Sequence, residues 1–182
     1  MKAAAPWVDG FRPGAQAPFD LGRAADAALA QLNRFGLDSM ALCGLSLGAV
    51  VATEAAIRSP DAVSHLVLAG GQVKPPKLAM AAQSLALRAM PAAAFADSGI
   101  GKPALLETLR AIGRVDFRAS LVQITARTLV LCGEQDKANL PAAEQLAAGI
   151  RGARLELIPG AGASVFTEAP AVVNELLYDF LS

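Results

Sequence analysis

The segment Gly44-Leu45-Ser46-Leu47-Gly48 stands between two stretches of different character, and this placement constrains the chain more than any other feature. Before it, Met40 to Cys43 is a short apolar run that reads as a strand. After it, Gly48 to Arg58 is rich in Ala and Val and stops before Pro60, which reads as a helix. A strand that enters a helix through so few residues needs a sharp turn, and the serine at its apex must adopt strained backbone angles. Both flanking glycines are expected to be required, because a side chain at either position would collide with neighbouring backbone. Such a turn aims the Ser46 hydroxyl outward, and the helix that starts beside it offers the Leu47 N–H to a developing oxyanion. Alone, the five residues describe only a Gly-rich turn; between a strand and a helix, G-x-S-x-G describes a nucleophile prepared for acyl transfer.

The rest of the chain repeats the alternation. Asp20 is a good N-cap, and Leu21, Ala25, Ala28, Leu32 and Phe35 follow at helical spacing before Gly36, predicting one amphipathic helix. His65 to Ala69 and Thr128 to Cys132 are apolar runs of strand length, with Leu155 to Ile158 a shorter third. Between the last two lies the helix PAAEQLAAGI, with Pro141 at its first position, and Pro170 to Leu181 predicts a final helix. Strands alternating with helices imply an α/β fold: a mainly parallel sheet with helices on both faces and ligand sites outside the C-terminal strand ends. The segment from Gln72 to about Ala126 interrupts this with helical stretches at Leu78 to Met90 and Pro103 to Arg114, as expected for a small helical cap. At 182 residues, one domain over 1–182 is expected.

Charge and cysteine content narrow the function classes. Lys plus Arg and Asp plus Glu both number 16, so no net field draws the chain to nucleic acid or an anionic membrane. No apolar stretch approaches the ~20 residues of a membrane span, and no signal segment is evident, which sets the cytoplasm as the expected location. Cys43 and Cys132 each lie in a run that reads as a buried strand, where a free thiol acts as a small hydrophobe and no disulfide is expected. No cofactor or metal is implied, since the chain has no His/Cys cluster at ligand spacing, no P-loop and no G-x-G-x-x-G opening a helix.

The stretch GLDSMALCGLSLGAVVATEAAIRSPDAVSHLVLAG resembles the corresponding region of α/β hydrolases such as esterases, enol-lactonases and carbon-carbon bond hydrolases. TARTLVLCGEQDKANLP is similar to that family's next-to-last strand and acid loop, and LELIPGAGASVFTEAPAVVNELLYDFL to its last strand, histidine loop and final helix. The resemblance covers roughly residues 20 to 71 and 126 to 181. It implies that Ser46 is the nucleophile, Leu47 the oxyanion-hole amide and Asp136 the acid that orients an imidazole. The alternative for Asp136 is a turn or capping carboxylate ahead of the next helix. Glu134 is the weaker candidate for the acid, because it lies nearer the strand end.

Two departures from the family pattern follow. Where the family has histidine after PGAG, this chain has Ala163 and then Ser164, so no general base stands there; a methyl accepts no proton, and a hydroxyl has almost no basicity near neutral pH. The sole histidine, His65, starts its predicted strand, about five residues at ~3.3 Å each from the level of Ser46, some 15 Å away. KAAAPWVDGF is similar to the family's fourth strand and following loop, so the earlier strands and the segment that supplies a second oxyanion amide are not represented. Ser39 to Cys43 is then expected to form an open apolar sheet edge, to be covered by Lys2 to Ala5 or by a second subunit. The resemblance implies a serine hydrolase of small ester, lactone or thioester substrates with impaired turnover. The competing readings are an inactive homologue that binds a small molecule or oligomerises, and a purely structural module. Residues such as Leu78, Met80, Leu85, Met90 and Phe95 in the cap are read first as plain helix packing and second as the lining for an apolar acyl or alkyl group.

Overall fold

The computed structural model describes residues 3–8, 18–91, 94–95 and 101–182. The helix expected after Asp20 forms as two segments, α1 (Leu21–Leu29) and α2 (Gln31–Phe35). The Asp20 carboxylate accepts from the Arg23 N–H at 2.8 Å, a side-chain cap for the first turn. Ala30, at φ −61 and ψ −17, loosens the helix by one residue, and Gly36 closes α2 in the left-handed region at φ 63. The remaining elements run β1 (Met40–Leu45), α3 (Leu47–Arg58), β2 (Val63–Ala69), α4 (Lys77–Ala89), α5 (Lys102–Ile112), β3 (Arg127–Gly133), α6 (Leu140–Gly149), β4 (Arg154–Ile158), α7 (Val165–Glu168) and α8 (Pro170–Leu181).

Four parallel strands lie in the order β1-β2-β3-β4, in register from Leu45 beside Ala69 to Gly133 beside Ile158. Side-chain alternation divides the core into two layers. Leu66, Leu68, Val130 and Cys132 face α3 and α6, where Ala49, Val50, Ala56, Leu146 and Ile150 are buried against them. Val67, Ala69, Leu129 and Leu131 face α7 and α8, closed by Val165, Val173 and Phe180. Each large side chain buried here contributes about 1.5–3 kcal/mol relative to exposure, so both sheet faces hold the strand ends in place.

The expected burial fails at β1. Leu42 packs into the first layer, but Ala41, Cys43 and Leu45 are exposed on the second face, although their register partners His65, Val67 and Ala69 lie on the side that α8 covers. Cys43 is therefore exposed, not buried as its apolar run suggested, while Cys132 is buried; both thiols are free. The reason is position, since β1 is a terminal strand of the described sheet and no described helix packs on that side of it. Residues 3–5 do not pair with its edge, contrary to one of the two expected coverings, and residues 3–8 form no strand; Lys2 lies outside the described residues.

The cap helices α4 and α5 pack on one another. The chain re-enters the main core sooner than expected, because Val115, Phe117, Leu121, Ile124 and Ala126 are all buried in the first layer. At the base of the excursion the Phe117 N–H donates to Val73 O at 2.9 Å, and Lys74 pairs with Asp116 at 2.8 Å.

Candidate active site

At the end of β1 the chain turns at Ser46, whose N–H donates to Ala69 O at 2.8 Å. Its angles, φ 53 and ψ −113, make it the one non-glycine residue with positive φ among the described residues. Holding a non-glycine residue there costs about 1–3 kcal/mol, which the surrounding strand and helix must offset. The two flanking glycines differ. A Cβ on Gly44 would run into Gly48 O and stand 2.6 Å from Ala49 Cα, whereas a Cβ on Gly48 would meet nothing within 4 Å. Only Gly44 is sterically required. Gly70, at φ 63, lies against the turn, and its Cβ would stand 3.7 Å from Ser46 N. Ser46 is exposed, and Leu47 begins α3; the Ala49 and Val50 N–H groups donate to Ser46 O at 3.0 and 3.3 Å, which leaves Leu47 and Gly48 as the first-turn residues ahead of that bonding pattern.

The loops after β3 and β4 are joined to each other. Glu134 N–H donates to Ile158 O at 3.0 Å, Gln135 N–H donates to Ala161 O at 2.9 Å, and the Glu134 carboxylate accepts from Gly160 N–H at 3.2 Å. Glu134 is thereby committed to bracing the β4 loop. Gly133 makes the approach feasible, since a Cβ there would overlap the carbonyls of Ala161 and Gly162. Asp136 is buried, and its two oxygens accept from Asn139 N–H at 3.2 Å and Asn139 Nδ2 at 2.7 Å. Asn139 Oδ1 in turn accepts from Gln72 Nε2 at 2.9 Å, which ties the acid loop to the end of β2, two residues past the Gly70 that touches Ser46. The carboxylate is held as a loop cap and also stands at the same edge of the sheet as Ser46.

Ala163 is exposed on the β4 loop. On either side of it, the N–H groups of Gly162 and Ser164 both donate to the Glu168 carboxylate, the latter at 3.1 Å. Glu168 carries no sequence signal for this role, since it lies four residues after Ser164, one beyond the spacing of a capping box, and the Ser164 side chain makes no cap bond. Ser46, Asp136 and Ala163 thus all leave the C-terminal edge of the sheet. His65 does not. It lies beside Ala41 in the register, five positions before Gly70, about 16 Å along the strand from the Ser46 level. Its ring stands edge-on to Phe180 at 5.5 Å, with Nε2 3.4 Å from Arg127 Nη1. Cys132 lies near the acid loop, but burial pushes its thiol up and the Asp136 and Glu144 carboxylates add to the effect, so it stays protonated.

A family model described as "Alpha/beta hydrolase family" matches residues 8–176. The chain belongs to the alpha/beta hydrolase family. Among solved structures, the enol-lactonase from Burkholderia xenovorans LB400 is similar with a TM-score of 0.79 at 18% identity, covering 92% of this chain and 75% of that one. A hydrolase from Pseudomonas aeruginosa PA01 follows at 0.77 and 24%, covering 91% and 73%. The esterase from Exiguobacterium antarcticum gives 0.76 and 20%, covering 89% and 74%. At these identities the likeness establishes the fold, and this alpha/beta hydrolase is shorter than each of the three.

Within this hydrolase-family chain, a cleft of about 490 Å³ opens beside the Ser46 turn. Leu47 forms one wall, Leu87 of α4 with Met90 just past its end another, and Leu105, Leu109 and Ile112 of α5 the third. Of the cap residues expected to line a pocket, only Met90 does so; Leu78 and Leu85 are 84% and 69% exposed and lie outside the cleft. Helical phase separates the two sets, since Leu78 and Leu85, seven residues apart, share one side of α4, whereas Gln83 and Leu87, four apart, share the side that lines the cleft. Among the described residues no cluster of three or more His, Cys, Asp or Glu could hold a metal ion, and no helix is long and apolar enough to cross a membrane.

Proposed function

We propose that this alpha/beta hydrolase is a serine hydrolase of small ester, lactone or thioester substrates, acting through an acyl-enzyme, with turnover reduced because Ala163 stands where the base belongs. The strained turn at Ser46 carries the reading: an exposed serine at φ 53 stands at a strand-to-helix junction, with Leu47 opening the helix. In the reaction the Ser46 Oγ bonds to the substrate carbonyl carbon while its proton passes to a solvent base, and the oxyanion rests on the Leu47 N–H. The C–O or C–S bond to the leaving group then breaks, and water returns the acyl group as an acid. Asp136, already fixed by Asn139, is the carboxylate that would orient an imidazole at position 163. Losing the histidine of such a triad lowers turnover by about 10⁶ in a well-studied case, which sets the scale of impairment. The cytoplasm is the proposed location, which two free thiols fit.

A fluorophosphonate probe with mass spectrometry tests the nucleophile. Labelling at Ser46 that disappears in Ser46→Ala is expected, and no adduct would overturn the reading. Ala163→His is expected to raise p-nitrophenyl ester turnover by about 10²–10⁴, the usual contribution of a positioned base. Asp136→Asn should remove most of that gain in the Ala163→His background yet leave the parent's turnover unchanged.

Among the described residues nothing covers the second face of β1 or pairs with its outer edge, which favours a second reading, a module that associates with a second copy of itself through Met40–Leu45. The two readings make separate predictions, one about Ser46 chemistry and one about molecular mass.

A further inference from the structure

The cleft shares a residue with the proposed oxyanion site, since Leu47 contributes its N–H to the one and its side chain to the other. A carbonyl seated on that amide therefore places one of its substituents at the cleft entrance. Among the described residues no charged side chain lines the cleft, and its polar contributors are Gln83 and Thr108. Thr108 offers little to a ligand, because its hydroxyl already donates to Ala104 O at 2.8 Å. An ionised group inside would lose water and gain no partner, whereas an alkyl group would cover Leu87, Leu105, Leu109 and Ile112, which the fold leaves only partly buried. The volume lies within the roughly 300–1,000 Å³ of small-molecule sites.

We infer that the substrate carbonyl carries an uncharged aliphatic chain lying between α4 and α5 against Leu47, and that carboxylate-ended chains are rejected there. This rests on the proposal that Ser46 is the nucleophile, because that is what seats the substrate carbonyl beside Leu47 and the cleft.

Calorimetric titration with neutral n-alkanamides, acetamide through octanamide, reads the cleft without requiring turnover. Affinity should rise about fourfold per added methylene as each is buried. The eight-carbon monoamide bearing a terminal carboxylate should bind at least ~10-fold more weakly than octanamide, as an unpaired charge demands. Leu109→Asp should abolish the chain-length dependence, with the milder Leu87→Gln weakening it and circular dichroism confirming that both fold. Leu78→Asp, on the exposed side of α4, should leave it intact. Affinity that is flat with chain length, equal for the carboxylate-ended amide, or indifferent to both cleft variants overturns the inference. Ser46→Ala should keep the chain-length series. Labelling of Ser46 with a flat series would refute the cleft assignment alone. A rising series without labelling would refute the hydrolase reading and leave an aliphatic-binding cleft.

Discussion

Gly44 and Gly48 are placed symmetrically about Ser46 in the sequence, yet the fold treats them differently. Gly44 lies where its Cβ would meet the backbone of α3, so Gly44→Ala should cost about 1–3 kcal/mol through a forced backbone shift. Gly48 has open space and sits inside a helix, so Gly48→Ala should be neutral or stabilising by up to about 1 kcal/mol. Urea denaturation of the two variants checks the pair, and equal losses would contradict the geometry. The motif made the turn legible but not this asymmetry, which depends on how α3 leaves the strand. Glu134 and Asp136 show the same limit: both are carboxylates on one short loop, and only the approach of the β4 loop commits Glu134 to Gly160.

Among the elements, β1 carries the sharpest difference between pattern and packing. Its composition, Met-Ala-Leu-Cys-Gly-Leu, matches a strand covered on both faces, and no element among the described residues covers the second face. Strand type follows from local apolar residues, but coverage requires another element, and which element lies where is a property of the whole sheet. An edge with no charge and no proline is also a ready template for pairing. The parent is expected to elute in size-exclusion chromatography with light scattering at above the monomer mass, and Cys43→Lys, which puts charge on that strand, at the monomer mass. A parent that runs as a clean monomer would remove the association reading. The cap shows the converse case, since α4 and α5 fall within a residue or two of the stretches predicted from spacing, whereas the side of α4 that meets the cleft could not be read without α5.

For the whole molecule, the cap excursion is tied at its base by Lys74 and Arg118, both of which bond the Asp116 carboxylate. Its hydrogen bonds from Arg118 and then Lys74 hold that carboxyl well below the ordinary carboxylate range. A depressed folded-state value contributes stability above the unfolded value of ~3.9 and loses it as pH falls further, so the tie operates at neutral pH and fades in acid. Asp116→Asn should therefore lower Tm modestly at pH 7, and the gap from the parent should close as pH drops below about 4. A gap that widens in acid would reverse the assignment. By itself the sequence determined the kinds of element and their order, the strand-to-helix turn at Ser46 and the methyl at position 163, because each rests on residue type and spacing within a few turns of chain. Only the tertiary structure decided which glycine is crowded, that Glu168 braces the loop bearing Ala163, that no described element covers one face of β1 and which cap side chains reach Leu47. Those depend on contacts between segments distant along the chain, which no local periodicity encodes.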